Sequence, residues 1–408
     1  SSADSRVDPC VPQHVLSIRA LRLPGSHHTP LSTLMLLAIA RKISPILLSF
    51  ATKSTTGSAF LSSKSRATRR ASSSSSRGSS ITIVGEHTSQ LRTLGSMSAS
   101  GPSQEAAAAA GTAAAVVQEK FTVAACQVLC GEDKSQNIAN AKQAVETAAA
   151  ARAQVVVLPE CWNGPYDTRS FPVYAEPVPD PRSDPDAPET LSSQEQGPST
   201  AMLCRAAVEN KVWIVGGSVP EAGKDGGIYN TCVVVDPAGR IAAKHRKVHL
   251  FDIDVPGITF KESDTLCPGN AITTVETPFG RIGVGICYDM RFPELSMAMR
   301  AAGSVLLCFP GAFNMTTGPA HWELLQRARA LDNQCYVVTA SPARNPNSKY
   351  QAWGHSSVVD PWGTVVATTE HGSAMVVAEI DLNRVLEVRR GIPISLQKRP
   401  DLYRLELS

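Results

Sequence analysis

From Phe121 onward, short apolar and β-branched runs alternate with segments whose apolar positions recur every three or four residues. The short runs predict strands and the longer spacing predicts helices. Turn sequences at 236–239, 277–280 and 360–363 join paired runs and predict hairpins. The predicted strands are 121–127, 154–159, 212–218, 230–235, 240–245, 271–276, 281–287, 304–309, 336–341, 355–359, 364–368 and 374–379. The predicted helices are 135–151, 199–210, 292–302 and 321–332.

Strands interleaved with helices and hairpins indicate an α/β layered domain with mixed sheets. We expect one such domain over residues 119–408, a size that a single domain can reach. The Pro-, Asp- and Ser-rich segment 172–197 is expected to be a surface excursion within it. The chain contains no internal repeat and neither of the glycine-rich nucleotide-binding patterns, GxGxxG and Walker A.

The first 118 residues have a different composition from the rest. Residues 1–104 are rich in Ser and Thr and carry 12 basic against 3 acidic residues. We expect this segment to be disordered, with an Ala-rich linker at 105–118. Its composition is typical of a chloroplast or mitochondrial transit peptide. Translation from Met97 would instead give a cytoplasmic protein.

The overall composition excludes several classes of protein. Hydrophobic residues make up 43% and charged residues 18%, and no apolar run reaches the length of a membrane span. Beyond residue 104 there are 27 basic and 33 acidic residues, which disfavours a nucleic-acid partner. The ten cysteines include no CxxC pair and no zinc-finger spacing, so we expect a reducing compartment and no metal site.

Three reactive residues lie at the ends of predicted strands. Glu160 ends a Val-rich run, Lys247 follows a basic strand, and Cys287 ends an Ile- and Gly-rich run. Strand ends in α/β sheets form clefts and hold side chains rigidly. A Cys on the turn into a helix has its thiolate favoured by backbone N–H groups and is a candidate nucleophile. Taken singly, each has a structural alternative: a buried Cys, a helix-capping or loop Glu, and a basic surface turn.

Long blocks around these residues give them a shared context. Leu-Pro-Glu-Cys-Trp-Asn-Gly-Pro-Tyr ends at Tyr166, and Gly-Ile-Cys-Tyr-Asp-Met-Arg-Phe-Pro-Glu ends at Glu294. Further blocks lie at 244–257, 309–323, 327–333 and 354–363. In this order, they resemble the nitrilase superfamily of carbon–nitrogen hydrolases, most closely its omega-amidase branch. The resemblance implies a four-layer α-β-β-α sandwich and a homodimer or higher homo-oligomer.

The resemblance also implies a catalytic set. The family's Glu–Lys–Cys triad falls on Glu160, Lys247 and Cys287, and a second family glutamate falls on Glu262. Glu262 could instead be an ordinary loop acid, and Glu294 is the alternative candidate for the second glutamate. Glu160 would act as base and acid, and Cys287 would form a thioester. Lys247 and the backbone N–H of Tyr288 would stabilise the oxyanion. No metal or organic cofactor is implied.

The omega-amidase branch acts on small dicarboxylic monoamides such as alpha-ketoglutaramate and alpha-ketosuccinamate. Arg291 is the candidate for binding the distal carboxylate, unless it forms a salt bridge with Asp289 or Glu294. Tyr166 and Thr317 resemble the family's accessory hydroxyls, with packing or turn roles as the alternative.

Other readings of the chain also remain open. His321 and His355 are interpreted as hydrogen-bonded structural residues rather than ligands. A nitrilase, an N-carbamoyl amide hydrolase, a deaminated-glutathione amidase and a non-catalytic scaffold remain as competing functions.

Overall fold

The computed structural model describes residues 118–181 and 196–406. The expectations for the N-terminal extension, up to residue 117, and for the middle of the Pro-rich excursion lie outside the described residues. The described strands are β1 (Lys120–Gln127), β2 (Val155–Val157), β3 (Trp213–Val215), β4 (Val219–Ala222), β5 (Ile228–Val235), β6 (Ile241–Arg246), β7 (Asp252–Val255), β8 (Ile258–Lys261), β9 (Thr273–Thr277), β10 (Gly280–Val284), β11 (Leu306–Pro310), β12 (Tyr336–Ala340), β13 (Ser357–Val359), β14 (Val365–Thr368) and β15 (Ala374–Asp381). The described helices are α1 (Lys134–Ala150), α2 (Phe171–Tyr174), α3 (Pro198–Asn210), α4 (Pro293–Ala301), α5 (Gly318–Asn333) and α6 (Leu382–Gly391).

Two mixed sheets form the centre of the domain. The first has the order β15-β1-β2-β3-β5-β4, with β6 also paired to β5, and its strands β1, β2 and β3 are parallel. The second has the order β14-β13-β12-β11-β10-β9, with β10, β11 and β12 parallel. In each sheet helices connect the parallel strands, as parallel pairing requires. The carboxyl ends of the parallel strands therefore lie at one edge of each sheet.

Strand β1 shows how the layers are stacked. Its Val123 and Ala125 belong to the apolar core shared by the two sheets, which also contains Ile282 of β10. Its Ala124 and Cys126 point the other way and pack with residues of α1 and α3. Because both faces of the strand are buried, the sequence is apolar at almost every position. The helices α4 and α5 contact the second sheet, which completes a four-layer α-β-β-α sandwich and confirms the predicted fold class.

Local sequence signals explain the ends of the helices that connect the strands. The side chain of Asp133 accepts hydrogen bonds from the backbone N–H groups of Ser135 and Gln136, which starts α1. Helix α5 begins with Gly-Pro and ends at Asn333, and the next residue, Gln334, has a φ of 50°, in the left-handed region. Its Trp322 and Ala330 are buried against the second sheet. Among the described residues, no helix is long and apolar enough to cross a membrane.

Several predicted boundaries differ from the structure. The strand predicted to run to Cys287 ends at Val284, and Cys287 begins a short 3-10 helix, Cys287–Arg291. The strands predicted at 154–159 and 212–218 keep regular pairing only over β2 and β3. The hairpin β7–β8 and the helix α6 were not predicted. Many of their residues are exposed and polar, so they lack the continuous apolar pattern of the core strands.

Candidate active site

Four of the predicted site residues converge at the carboxyl ends of the strands. Glu160 follows β2, Lys247 follows β6, Glu262 follows β8 and Cys287 follows β10. Glu160, Lys247 and Glu262 have no exposed surface, and Cys287 is 3% exposed. Clefts at the carboxyl ends of parallel strands are common ligand sites in α/β proteins. The topology therefore brings together residues that are distant in the sequence: Glu160 and Lys247 are 87 positions apart, and Glu160 and Cys287 are farther apart still.

The Lys247 ammonium lies between two carboxylates. Its Nζ is 2.8 Å from Glu160 Oε1, 3.0 Å from Glu262 Oε1 and 2.9 Å from Glu262 Oε2. Burial alone would lower the pKa of Lys247, but the negative charges of Glu160 and Glu262 outweigh it and hold the pKa well above its usual value. Lys247 is therefore a fixed, buried cation in the electrostatic environment of the Cys287 thiol.

Glu160 is held by three donors. Its Oε1 accepts hydrogen bonds from Lys247 and from Asn230 Nδ2 at 2.9 Å, and its Oε2 accepts one from the backbone N–H of Ala312 at 2.8 Å. Burial raises the pKa of Glu160, and the positive charge of Lys247 acts in the opposite direction. The result is a carboxyl group that is fixed in orientation and has the raised proton affinity expected of a general base.

Cys287 sits on a sharp turn between β10 and α4. Its φ of 48° is in the left-handed region, which is strained for a residue with a side chain and is found at functional turns. A side chain at Gly311 would meet the Cα of Cys287 at 3.2 Å and the ring of Trp322 at 3.1 Å, so the neighbouring loop approaches closely only because it has glycine there. This packing fixes the position of the thiol.

Burial and a neighbouring carboxylate favour the neutral form of the Cys287 thiol. Burial raises its pKa well above the usual value, and the negative charge of Glu160 adds to the rise while Lys247 opposes it. The sequence predicted a favoured thiolate because the turn enters a helix. Burial and the adjacent carboxylate act against that expectation, and their effect on the pKa is larger than that of the backbone N–H groups.

A buried cluster around Asp289 connects the turn of Cys287 with the strand of Lys247. Asp289 accepts hydrogen bonds from the backbone N–H of Ile286 at 2.9 Å and of His249 at 2.9 Å. It also lies 3.0 Å from His245 Nε2 and 2.8 Å from His249 Nδ1. The surrounding donors hold the pKa of Asp289 well below its usual range despite its burial. The roles of Asp289 and Asn230 could not be predicted from the sequence, because the side-chain contacts of Asp289 with the two histidines and of Asn230 with Glu160 join distant segments.

Arg291 follows the nucleophile turn without the predicted salt bridges. Among the described residues it forms no ion pair, since Asp289 is occupied by the histidines and Glu294 is exposed on the first turn of α4. Its Nε is buried without a hydrogen-bond partner, and its Nη1 lies 3.2 Å from His321 Nδ1. Burial lowers the pKa of the Arg291 guanidinium, and a negative charge on the Cys287 thiolate would act in the opposite direction, so the two groups share one electrostatic environment.

The predicted accessory hydroxyls differ in their surroundings. Tyr166 donates a hydrogen bond of 2.6 Å to Glu262 Oε1, and its ring packs 4.6 Å from the ring of Tyr350. The hydroxyl of Tyr350, a residue that was not predicted to belong to the site, donates a hydrogen bond to the backbone oxygen of Ala312. The hydroxyl of Thr317 instead donates a hydrogen bond of 3.2 Å to Asn314 Oδ1 within its own turn. This contact favours the alternative interpretation, in which Thr317 has a structural role in the turn.

Tyr288 completes the predicted set. Its backbone N–H lies in the first turn of the 3-10 helix, where a helix amide has no helical acceptor. Its side chain packs edge-on against the ring of Phe251. The amide belongs to the residue that directly follows Cys287 in the chain.

Comparison with known proteins gives a consistent assignment. The family model for carbon–nitrogen hydrolases matches residues 122–390. The chain is 48% identical to the chloroplastic omega-amidase of Arabidopsis thaliana, over 85% of this chain and 92% of the relative. It is 50% identical to an omega-amidase of Homo sapiens, over 70% and 98% of the two chains. The crystal structure of Nit3 from Saccharomyces cerevisiae, a nitrilase-superfamily member, is similar with a TM-score of 0.62 and 41% identity, over 70% of this chain and 98% of that one.

Proposed function

The chain belongs to the carbon–nitrogen hydrolase family, and from that membership we infer that it is an omega-amidase, which releases ammonia from the terminal amide of a small dicarboxylic acid monoamide. The observation that carries the proposal is the buried Glu160–Lys247–Cys287 arrangement, with Glu262 on the far side of the lysine. A buried thiol, a fixed cation and a carboxyl of raised pKa are the groups that acyl transfer through a covalent intermediate requires.

In the first step the thiol of Cys287 attacks the amide carbonyl carbon while its proton passes to Glu160. Because burial and Glu160 favour the protonated thiol, we propose that proton transfer accompanies attack. The negative charge that develops on the carbonyl oxygen is stabilised by the ammonium of Lys247 and the backbone N–H of Tyr288. Glu160 then gives the proton to the departing nitrogen, the C–N bond breaks, and ammonia leaves behind a thioester on Cys287.

In the second step water hydrolyses the thioester. Glu160, again a carboxylate, takes a proton from the water as its oxygen attacks the thioester carbon. Lys247 stabilises the oxyanion a second time, the C–S bond breaks, and Glu160 returns the proton to the sulfur of Cys287. Glu262 acts by holding Lys247 in place and by orienting the water, and the hydroxyl of Tyr166 fixes Glu262.

We assign substrate selection to Arg291, the cation that follows Cys287 in the chain. A dicarboxylic monoamide such as alpha-ketoglutaramate or alpha-ketosuccinamate has a carboxylate at the end opposite to the amide. Arg291 has a buried Nε without a partner and forms no ion pair among the described residues, so its guanidinium is available for bidentate contact with that carboxylate. The ring of Tyr166 and the hydroxyl of Thr317 are proposed as further contacts.

We also propose an organellar location and a dimer. The basic, Ser-rich N-terminal segment has the composition of a transit peptide, and the relative from Arabidopsis thaliana is named as chloroplastic, which favours the plastid. Fusion of residues 1–118 to a fluorescent protein tests import.

For the dimer, α5 exposes Leu324 at 65% and Leu331 at 53%, which is the type of surface that a second copy covers. Light scattering on wild type and Leu324→Glu tests this.

The experiment that tests the function is an ammonia-release panel. We expect the protein to release ammonia from alpha-ketoglutaramate and alpha-ketosuccinamate, and not from nitriles or N-carbamoyl amino acids. Cys287→Ala should abolish turnover, whereas Cys130→Ala, at a cysteine outside the site, should leave it unchanged. Preference for a nitrile or a carbamoyl compound would assign the chain to another branch of the family. Full turnover by Cys287→Ala would overturn the mechanism.

A further inference from the structure

Three potential metal ligands lie together on a part of the surface that the proposed reaction does not use. They are His355, which precedes β13, and Glu370 and His371, which form the turn between β14 and β15. One ligand atom from each residue lies within 4.8 Å of the other two. His355 is partly buried, and Glu370 and His371 are exposed. Two imidazoles and one carboxylate are a common protein ligand set for Zn²⁺.

The backbone that carries these side chains is held by a buried amide. Gln127, at the end of β1 and 1% exposed, donates from its Nε2 to the backbone oxygens of Glu370 and Gly372, both at 2.6 Å. Its Oε1 accepts the backbone N–H of Ser356 at 3.0 Å. A single side chain therefore fixes the turn of Glu370 and the segment next to His355 relative to each other.

Direct contacts bring the two segments still closer. The backbone N–H of His355 donates to the oxygen of Glu370 at 3.2 Å, and a side chain at Gly354 would meet the Cα of His371 at 2.7 Å. The ring of His355 stacks on Trp353 with centroids 4.4 Å apart, which fixes the orientation of the imidazole. Pre-organisation of this kind distinguishes the cluster from polar side chains that meet by chance on a surface.

We propose that His355, Glu370 and His371 bind one Zn²⁺ ion, with water completing the coordination shell. Zn–N and Zn–O bonds of about 2.0–2.2 Å place tetrahedral ligand atoms about 3.3 Å apart. The exposed side chains of Glu370 and His371 can close the present separation by rotation. The guanidinium of Arg344 lies nearby and donates to the backbone oxygens of Ala352 and Trp353, and the negative charge of Glu370 opposes its positive charge at this cluster.

The bound ion would cross-link the segment of His355 with the turn of Glu370 and His371, and the first of these segments is connected to the active site. The backbone oxygen of His355 accepts a hydrogen bond of 2.7 Å from Trp322 Nε1, and Trp322 packs beside Gly311 and Cys287. Because the metal binds the folded protein, it should raise the unfolding temperature. At zinc concentrations about 100-fold above the dissociation constant, linkage predicts a rise of about 5 °C for a chain of this size.

The test is titration of the full chain with Co²⁺ and Zn²⁺. We expect one equivalent of Co²⁺ to give visible d–d absorption without a thiolate charge-transfer band, and Zn²⁺ to displace it. His371→Gln and Glu370→Gln should each weaken binding by at least about 10–100-fold and remove the zinc-dependent thermal shift. His28→Gln, a matched change at a histidine outside the described residues, should do neither.

Two results would overturn the proposal. One is no binding of either metal at micromolar concentration. The other is binding that persists unchanged in both His371→Gln and Glu370→Gln, which would place the metal elsewhere in the chain. Both substitutions lie on an exposed turn whose backbone is fixed by Gln127, so they test ligation without disturbing the fold. The proposal does not depend on the omega-amidase assignment.

Discussion

Replacing Lys247 by methionine removes the buried cation and keeps a side chain of similar shape. The ammonium bonds Glu160 and Glu262 in the resting protein and is assigned to the oxyanion during both steps. Removing a single oxyanion donor typically lowers kcat by about 10²–10³-fold. The loss in Lys247→Met should be at the upper end of that range or beyond, because the orientation of Glu160 is disturbed at the same time.

The same substitution should destabilise the fold. The carboxyl groups of Glu160 and Glu262, which are 0% exposed, then lose the cation that they share. Removing one partner of a buried ion pair lowers the free energy of unfolding by about 3–5 kcal/mol. Burial already raises the pKa of Glu160, and loss of the cation that opposes this effect raises it further. A carboxyl with a folded pKa above its unfolded value of about 4.3 loses stability as the pH rises above that value. The variant should therefore be less destabilised at pH 5 than at pH 8.

Chemical denaturation and ammonia release together separate the two effects. Lys142→Met, at an exposed lysine of α1, is the matched control and should change neither quantity. The double variant Lys247→Met/Glu262→Gln removes one uncompensated carboxylate, so it should recover part of the stability while activity stays low. Recovery of activity along with stability would refute the role of Lys247 at the oxyanion. Lys247→Met with wild-type stability at pH 8 would refute the buried ion-pair argument.

Three further changes probe the neighbours of the site. Glu160 must be unprotonated to accept the thiol proton, and burial raises its pKa, so kcat/KM should fall as the pH drops through that raised pKa. Asn230→Ala removes a hydrogen-bond donor to the Glu160 carboxylate, so it should raise this pKa further and move the fall in kcat/KM to higher pH. Arg291→Lys should raise KM for alpha-ketoglutaramate about tenfold or more, with a smaller effect on an amide lacking the distal carboxylate, as measured by steady-state kinetics. Asp289→Asn should lower kcat more than it changes KM, because the turn that carries Cys287 loses its attachment to His245 and His249. For the same reason, alkylation of Cys287 by iodoacetamide should be slower in this variant. Equal alkylation rates in the variant and the wild type would contradict this positioning role.

The core of the fold could be predicted because burial on both faces leaves a clear pattern. Strands such as β1 and β12 are apolar at nearly every position, and each is bounded by polar or turn residues. The β7–β8 hairpin and α6 could not be predicted in this way, since they lie at the surface, where packing does not dictate the residue type. The length of β2 was also overestimated, because Leu158 is buried without belonging to the paired strand.

The candidate site could be predicted only from longer blocks of sequence. Glu160, Lys247 and Cys287 were selected by their order and flanking residues, and the structure brings them together, but no local property distinguishes them from ordinary buried residues. The contacts that fix them join distant positions: Asn230 and Glu160 are 70 residues apart, and Asp289 and His245 are 44 apart. The protonation state of the thiol depends on burial and on Glu160, neither of which can be seen from the turn alone.

The central claim is that the sulfur of Cys287 carries the acyl part of the substrate between two proton transfers through Glu160. Its most direct test is mass spectrometry of protein mixed with alpha-ketoglutaramate and quenched in acid during turnover. We predict a species heavier by the mass of the substrate minus ammonia, located on the peptide that contains Cys287 and absent from Cys287→Ala. Turnover at the full rate with no such adduct, or an adduct on a different residue, would contradict the account.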